Sequence, residues 1–187
     1  MTNTTMTVED RYAAEQAQTE HDHHVPTAGA MTNHILSNLH ISIVKFHQVR
    51  WSVKGPLALS VRTLLSDYID TYRKQFDALG ELLLDEGEIV STTTKEFHDY
   101  NMLQESGAKK YLTAEEQVNE LVHDADTHNL FIDRAIKLAE KEERPALASF
   151  LTTLRGTNNH IIRELQAVLG NDARDGLDEE DDDDDED

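Results

Sequence analysis

The chain has 187 residues, enough to bury one sizeable core, with 8 Gly, 3 Pro and no Cys. So few turn residues favour long helices over many short strands, and the lack of thiols excludes a disulfide framework and thiolate metal sites. The formal net charge is −20; residues 178–187, all Asp or Glu, supply −10 of it and residues 1–29 a further −4, a balance that opposes binding to a phosphate backbone.

Residues 1–29 are polar and end in Pro26-Thr27-Ala28-Gly29. This composition predicts a flexible arm with a short helix over residues 8–18. The N-terminus has no basic or apolar leader, and no run approaches the roughly 18 apolar residues of a membrane span, so the expectation is a soluble cytoplasmic protein with no membrane contact. Within the arm lies His21-Asp22-His23-His24. Imidazoles and a carboxylate are ligands for Zn²⁺, Fe²⁺ or another transition metal. The spacing fixes no geometry, so a site there needs groups from a neighbouring chain, and a solvated polar tail accounts for the same residues.

Residues 30–54 read as the first long helix. Leu36, His40, Ile43, His47 and Arg50 form one stripe at i, i+4, i+7 spacing, widened by Leu39 and Phe46; Gly55 and Pro56 stop it. Residues 58–85 read as the second. Its apolar stripe is Val61, Leu65, Ile69, Tyr72, Phe76, Leu79 and Leu83. Beside it runs a polar stripe of Arg62, Ser66, Asp70, Arg73, Asp77 and Glu81, for which i,i+4 pairing such as Arg73 with Asp77 is the plain explanation. Residues 86–112 form a long connection, with a short helix expected over 97–107 and little helix signal in Ser91-Thr92-Thr93-Thr94. A third helix over 113–141 opens on a capping box of Thr113 and Glu116, with Asp124 and Asp126 read as surface acids. Pro145 stands near the start of a fourth, over 144–169, which ends at Gly170-Asn171. Residues 171–187 read as an acidic disordered tail.

Four helices with a long middle connection resemble the ferritin-like superfamily, whose bundles use such a crossover. The stretch Arg50-Trp51-Ser52-Val53-Lys54-Gly55, five residues, Val61-Arg62, three residues, Ser66 narrows this. It is similar to the signature of the Dps family (miniferritins, DNA protection during starvation): His-Trp-x-hydrophobic-x-Gly, five residues, hydrophobic-His, three residues, then Asp or Glu. The family's second motif, Asp-x-hydrophobic-small-Glu, matches Asp77-Ala78-Leu79-Gly80-Glu81. Over residues 30–170 the resemblance implies an all-α, ferritin-like four-helix bundle whose long crossover carries a short extra helix. It further implies a hollow homo-oligomer, by family a dodecamer, that sequesters and stores iron (Fe²⁺/Fe³⁺) and protects against oxidative stress.

In that family a ferroxidase site lies at a dimer interface, with two His and an Asp from one subunit and an Asp and a Glu from the other. Carried onto this chain, the first set falls on Arg50, Arg62 and Ser66, and only Asp77 and Glu81 of the second set are preserved. A guanidinium is always charged and offers a metal no lone pair. The resemblance therefore implies a degraded ferroxidase site, with Arg50 and Arg62 placed to neutralise Asp77 and Glu81 as an intersubunit ion-pair cluster. Two alternatives stay open: an active ferroxidase rearranged around His47, Asp77 and Glu81 with His40 nearby, and a DNA-binding nucleoid protein acting through divalent cations. Direct DNA binding is not expected from arms this acidic.

Overall fold

The computed structural model describes residues 6–177; within its first helix the side chains of Glu20, Asp22, His23 and His24 lie outside that description. The described elements are α1 (Val8–His24), α2 (Ala28–Ser52), α3 (Ala58–Asp85), α4 (Thr94–Tyr100), α5 (Ala114–Lys141) and α6 (Pro145–Leu169), with a 3₁₀ turn at Gly107–Tyr111. The helix limits follow from local chemistry. Thr113 accepts from the Glu116 N–H at 3.2 Å while Glu116 accepts from the Thr113 N–H at 2.8 Å, a reciprocal cap on α5. Pro145 occupies the first turn of α6. Gly55 turns the α2–α3 corner at φ 87°, a left-handed conformation that a side chain would strain.

The four long helices bury their expected stripes, including Leu36, Leu39 and Phe46 of α2, Leu65, Leu79 and Leu83 of α3, Leu121 and Ile132 of α5, and Leu151, Leu154 and Leu165 of α6. Each fully buried side chain of this size contributes about 1.5–3 kcal/mol, which is what holds helices of modest propensity together. The topology comes from the crossover. Asn33 grips the Ile89 carbonyl at 2.6 Å and the Ser91 N–H at 3.0 Å. Asn38 then accepts from the Met102 N–H at 2.8 Å, Lys45 donates to the Gln104 carbonyl at 2.6 Å, and Gln48 to the Ser106 carbonyl at 3.2 Å. Residue numbers rise together on both sides of this seam, so the crossover climbs α2 from its N-terminal to its C-terminal end. Consequently α5 begins where α2 finishes, and α3 and α5 run parallel.

At the opposite end, Glu142 accepts from the Ala28 N–H at 2.8 Å, and Arg144 pairs with Glu86 at 2.9 Å and Glu88 at 2.5 Å. Gly29 leaves room for the Glu88 carboxylate: a Cβ there would stand 2.2 Å from its carboxyl carbon, and Glu88 would have to swing aside.

Four expectations are corrected. Residues 8–24 form a helix reaching six residues past the expected stop, with its own reciprocal cap of Thr7 and Asp10. The crossover helix is Thr94–Tyr100 rather than 97–107, because Thr93 and Glu96 cap it and Phe97 is its buried anchor. Asp124 is no surface acid: its carboxylate meets the Lys45 ammonium at 2.6 Å, with 16% of its side chain and 6% of that of Lys45 exposed. Residues 171–177 fold back on α6, where Gln166 donates to the Asp175 carbonyl at 2.7 Å and Leu177 is buried; residues 178–187 lie outside the described part.

Burial pushes the Asp124 carboxyl up, and Lys45 opposes this. Lys45→Met leaves that carboxylate buried without its cation, so it should lose about 3–5 kcal/mol at neutral pH in thermal or denaturant unfolding. The folded pKa then stands above the unfolded one, and the charged carboxylate is the penalised form. The deficit should therefore shrink as pH falls and Asp124 protonates. A deficit independent of pH would contradict this.

Candidate functional site

The last carbonyls of α2 have no partner inside their helix and carry its negative dipole end. Arg62, on the first turns of α3, reaches back to them: Nη2 donates to the Val53 carbonyl at 3.0 Å and Nε to the Arg50 carbonyl at 3.3 Å. The Arg50 side chain crosses the other way, its Nε donating to Ser66 Oγ at 2.8 Å, and Ser66 Oγ donates to the Arg62 carbonyl at 2.8 Å. The positions matched to one half of the interface ligand set thus bond to one another and lock the α2–α3 corner.

One turn before Arg50, the ring of His47 lies 4.9 Å from that of Trp51, and its Nε2 lies 3.2 Å from Arg73 Nη2. Nε2 accepts there, which places the ring proton on Nδ1, a buried atom without a partner. Burial lowers the His47 pKa, and the charges of Arg73 and Arg50 lower it further. The imidazole is neutral at pH 7, but its outward lone pair is already engaged by a guanidinium. Arg73 also lies 3.7 Å from Asp70, in place of the expected pairing with Asp77. His40 is drawn the other way, onto the crossover, where its ring stacks on Phe97 at 4.7 Å.

Asp77 and Glu81 stand one turn apart on the exposed face of α3, with no ion-pair partner in their own subunit among the described residues. They lie 11 and 15 positions beyond Ser66 on one helix, a rise of about 16–22 Å. No single subunit brings the two halves together. Among the described residues no three His, Asp or Glu side chains are placed to hold a metal ion. Of His21-Asp22-His23-His24 only His21 is described, exposed near the end of α1; the side chains of the others fall outside the described set.

The bundle interior, where ferritin-like di-iron proteins place Glu and His ligands, is filled by other chemistry. Lys45 and Asp124 pair there, and Tyr72 donates to Asn158 Oδ1 at 2.7 Å. His128 is fully enclosed, and burial pushes its pKa down to about 3. An ammonium held against the carboxylate in this layer does not suit a di-cation cluster. Sequence reasoning misses Arg73 and Lys45 as partners of candidate residues. Arg73 stands in plain view on the polar stripe, one turn from Asp77, while nothing local to Lys45 marks it as buried.

A bundle of long helices with this crossover defines the ferritin-like class, and residues 30–174 match the ferritin family model, described as a ferritin-like domain. Two solved structures, the DpsB and DpsA proteins of Lactococcus lactis MG1363, are 40% and 36% identical. They superpose with TM-scores of 0.81 and 0.83, covering 88% and 89% of this chain and 95% and 98% of theirs. The DNA protection during starvation protein of Listeria innocua is 25% identical over 138 residues, 74% of this chain and 88% of that one. The chain belongs to the ferritin-like domain family and, within it, to the Dps family.

Arg73→Ala removes both the hydrogen bond and a charge that depress His47. Its titration, followed by NMR of the imidazole Cε1–H and assigned with His47→Gln, should move up toward the ordinary histidine value near 6.5. An unchanged midpoint would show that burial and Arg50 set it without Arg73.

Proposed function

We propose that this chain is a Dps-type subunit that assembles into a hollow homo-oligomer, a dodecamer by family, which takes up and stores iron and so protects against oxidative stress, without a working interface ferroxidase. The supporting observation is the Arg50–Ser66–Arg62 network. Two of the five ligand positions carry guanidiniums, which offer a metal no lone pair, a third carries a neutral hydroxyl in place of a carboxylate, and all three are engaged with each other or with backbone carbonyls. A two-fold axis across the α3 face, between Ser66 and Asp77, would bring these guanidiniums to the partner's carboxylates. Asp77 and Glu81, solvated in the lone subunit, then act as the anions of an intersubunit bridge. Iron is cargo here: it enters the shell and mineralises on interior carboxylates, which are hard ligands suited to ferric ion.

Trp51 is 71% exposed and Leu59 80% exposed on the same face, an apolar surround that favours pairing of two such faces. Rearranged ferroxidase chemistry around His47 is disfavoured, since a metal would have to displace Arg73 from Nε2 and sit between two guanidiniums. Direct DNA binding is disfavoured by α1, which carries Glu9, Asp10 and Glu15 against Arg11 alone among its described ionisable groups besides His21 and Tyr12. His21, Asp22, His23 and His24 stay candidate ligands for Zn²⁺ or another transition metal, and the chain is read as cytoplasmic with no membrane partner.

Restoring the ligands tests this reading. Arg50→His/Arg62→His/Ser66→Asp should oxidise Fe²⁺ with peroxide faster than wild type by roughly tenfold or more, the scale on which metal-site shells act. Adding Asp77→Ala/Glu81→Ala to that variant should abolish the gain. Fast oxidation by the wild type, lost in Asp77→Ala/Glu81→Ala alone, would instead establish an active site with rearranged ligands.

A further inference from the structure

His128 takes no part in the α2–α3 face or the crossover, yet it stands at the middle of α5 with its side chain fully buried. Ala125 and Ile132, about one turn to either side, are buried with it. The helices around it offer little to an imidazole. The Ile35 carbonyl of α2 favours a ring proton, but neither ring nitrogen makes a hydrogen bond of good geometry. The titratable groups of α2 are engaged elsewhere: His34 with the Tyr100 carbonyl, His40 with Phe97, and Lys45 with Asp124, one turn before His128 on α5. From α3 comes Tyr72, its ring centroid 6.4 Å away and edge-on, with its own proton donated to Asn158 of α6. The charged group that α6 brings to the next stretch of α5 is Arg155, which forks onto Asp133 at a partly exposed edge.

A neutral imidazole has one N–H and one lone pair, whereas an imidazolium has two N–H donors and a full charge. A charge buried without partners is costly, so the packed ring stays neutral, its pKa held at about 3 against an ordinary 6.5. Protonation therefore waits until α5 lifts away. That helix packs in the common core with α2 and α6, and its Asp124 anchors Lys45, which in turn pins the crossover at Gln104. An opening of α5 undoes all three.

We propose that His128 is an acid-sensitive latch: in mildly acidic solution, proton uptake at its ring traps α5 in an opened state, and the subunit comes apart. Above about pH 6.5 neither the packed nor the opened chain holds the proton, and the latch is silent. Below that the opened chain binds the proton first, so opening gains about tenfold per pH unit until the packed ring itself titrates. Asp124, whose carboxyl burial raises, acts in the opposite sense. In an iron-storing shell the contents would be released on acidification; that consequence rests on the storage reading, whereas the latch belongs to the subunit.

Hydrogen exchange of the α5 amides in the intact oligomer, followed by mass spectrometry from about pH 8 to about pH 4, reads the opening without involving iron. Wild type is compared with His128→Phe and His128→Asn, two side chains that do not titrate and differ in polarity. Corrected for intrinsic exchange, the ratio of the wild-type opening constant to that of each variant should be level above about pH 6.5 and climb about tenfold per unit below it. Asp124 is common to all three and cancels. A ratio that stays level in acid for either variant would overturn the proposal, whatever their stabilities at neutral pH. A second measurement needs wild type alone. Exchange of the His128 imidazole C2 hydrogen in the intact oligomer should show no midpoint between about pH 5 and about pH 8, and a midpoint near the ordinary histidine value would equally overturn it.

Discussion

The hydrogen bond from Arg50 to Ser66, closed by Arg62 on the last carbonyls of α2, is the constraint on which the chemistry of this chain turns. It uses the frame that in the family presents ligands to a metal, and fills it with cations that belong to the chain itself. A metal ion can enter, change oxidation state and leave; a guanidinium can only hold position. On the proposed reading, the same geometry serves as a fastening in place of a redox site. The preserved Asp77 and Glu81 fit this view, since carboxylates exposed on a lone subunit's face need a positive counterpart wherever that face is covered.

The bundle interior repeats the pattern. In the bundle interior and on the exposed α2–α3 face alike, the chain's own side chains supply the cations. Lys45 sits against Asp124 inside, and Arg50, Arg62 and Arg73 line the face. Both arrangements also serve the fold. Lys45 reaches the Gln104 carbonyl and so pins the crossover, while Arg62 finishes α2 and sets the corner into α3. Substituting these cations would disturb packing as well as chemistry, which is why ligand restoration at the corner is more informative than simple truncation.

Much of this architecture is legible in the residues alone. The 3.6-residue periodicity of four long segments, Gly55-Pro56 and the Thr113–Glu116 box are local signals, and they place the long helices closely. The spacing of Trp51, Val53, Gly55, Val61, Asp77 and Glu81 points to the family, and the mismatches at Arg50, Arg62 and Ser66 point to the altered site. What escapes depends on partners distant in sequence. Asp124 looks like a surface acid until Lys45 is seen 79 positions away. His47 looks available until Arg73 of the neighbouring helix is seen on its Nε2. The crossover helix is misplaced for another reason: three threonines mask a cap, because a β-branched run reads as non-helical while Thr93 uses its hydroxyl to start one.

The most direct measurement is an anaerobic Fe²⁺ titration of the assembled oligomer by calorimetry, with wild type and Asp77→Ala/Glu81→Ala compared under identical conditions. If the interface is a fastening, the two proteins give the same isotherm, and iron meets only the shell interior, its entry paths and the arms. Tight, stoichiometric sites in wild type that vanish in the variant would contradict this, and would mean that Asp77 and Glu81 bind iron despite the arginines beside them.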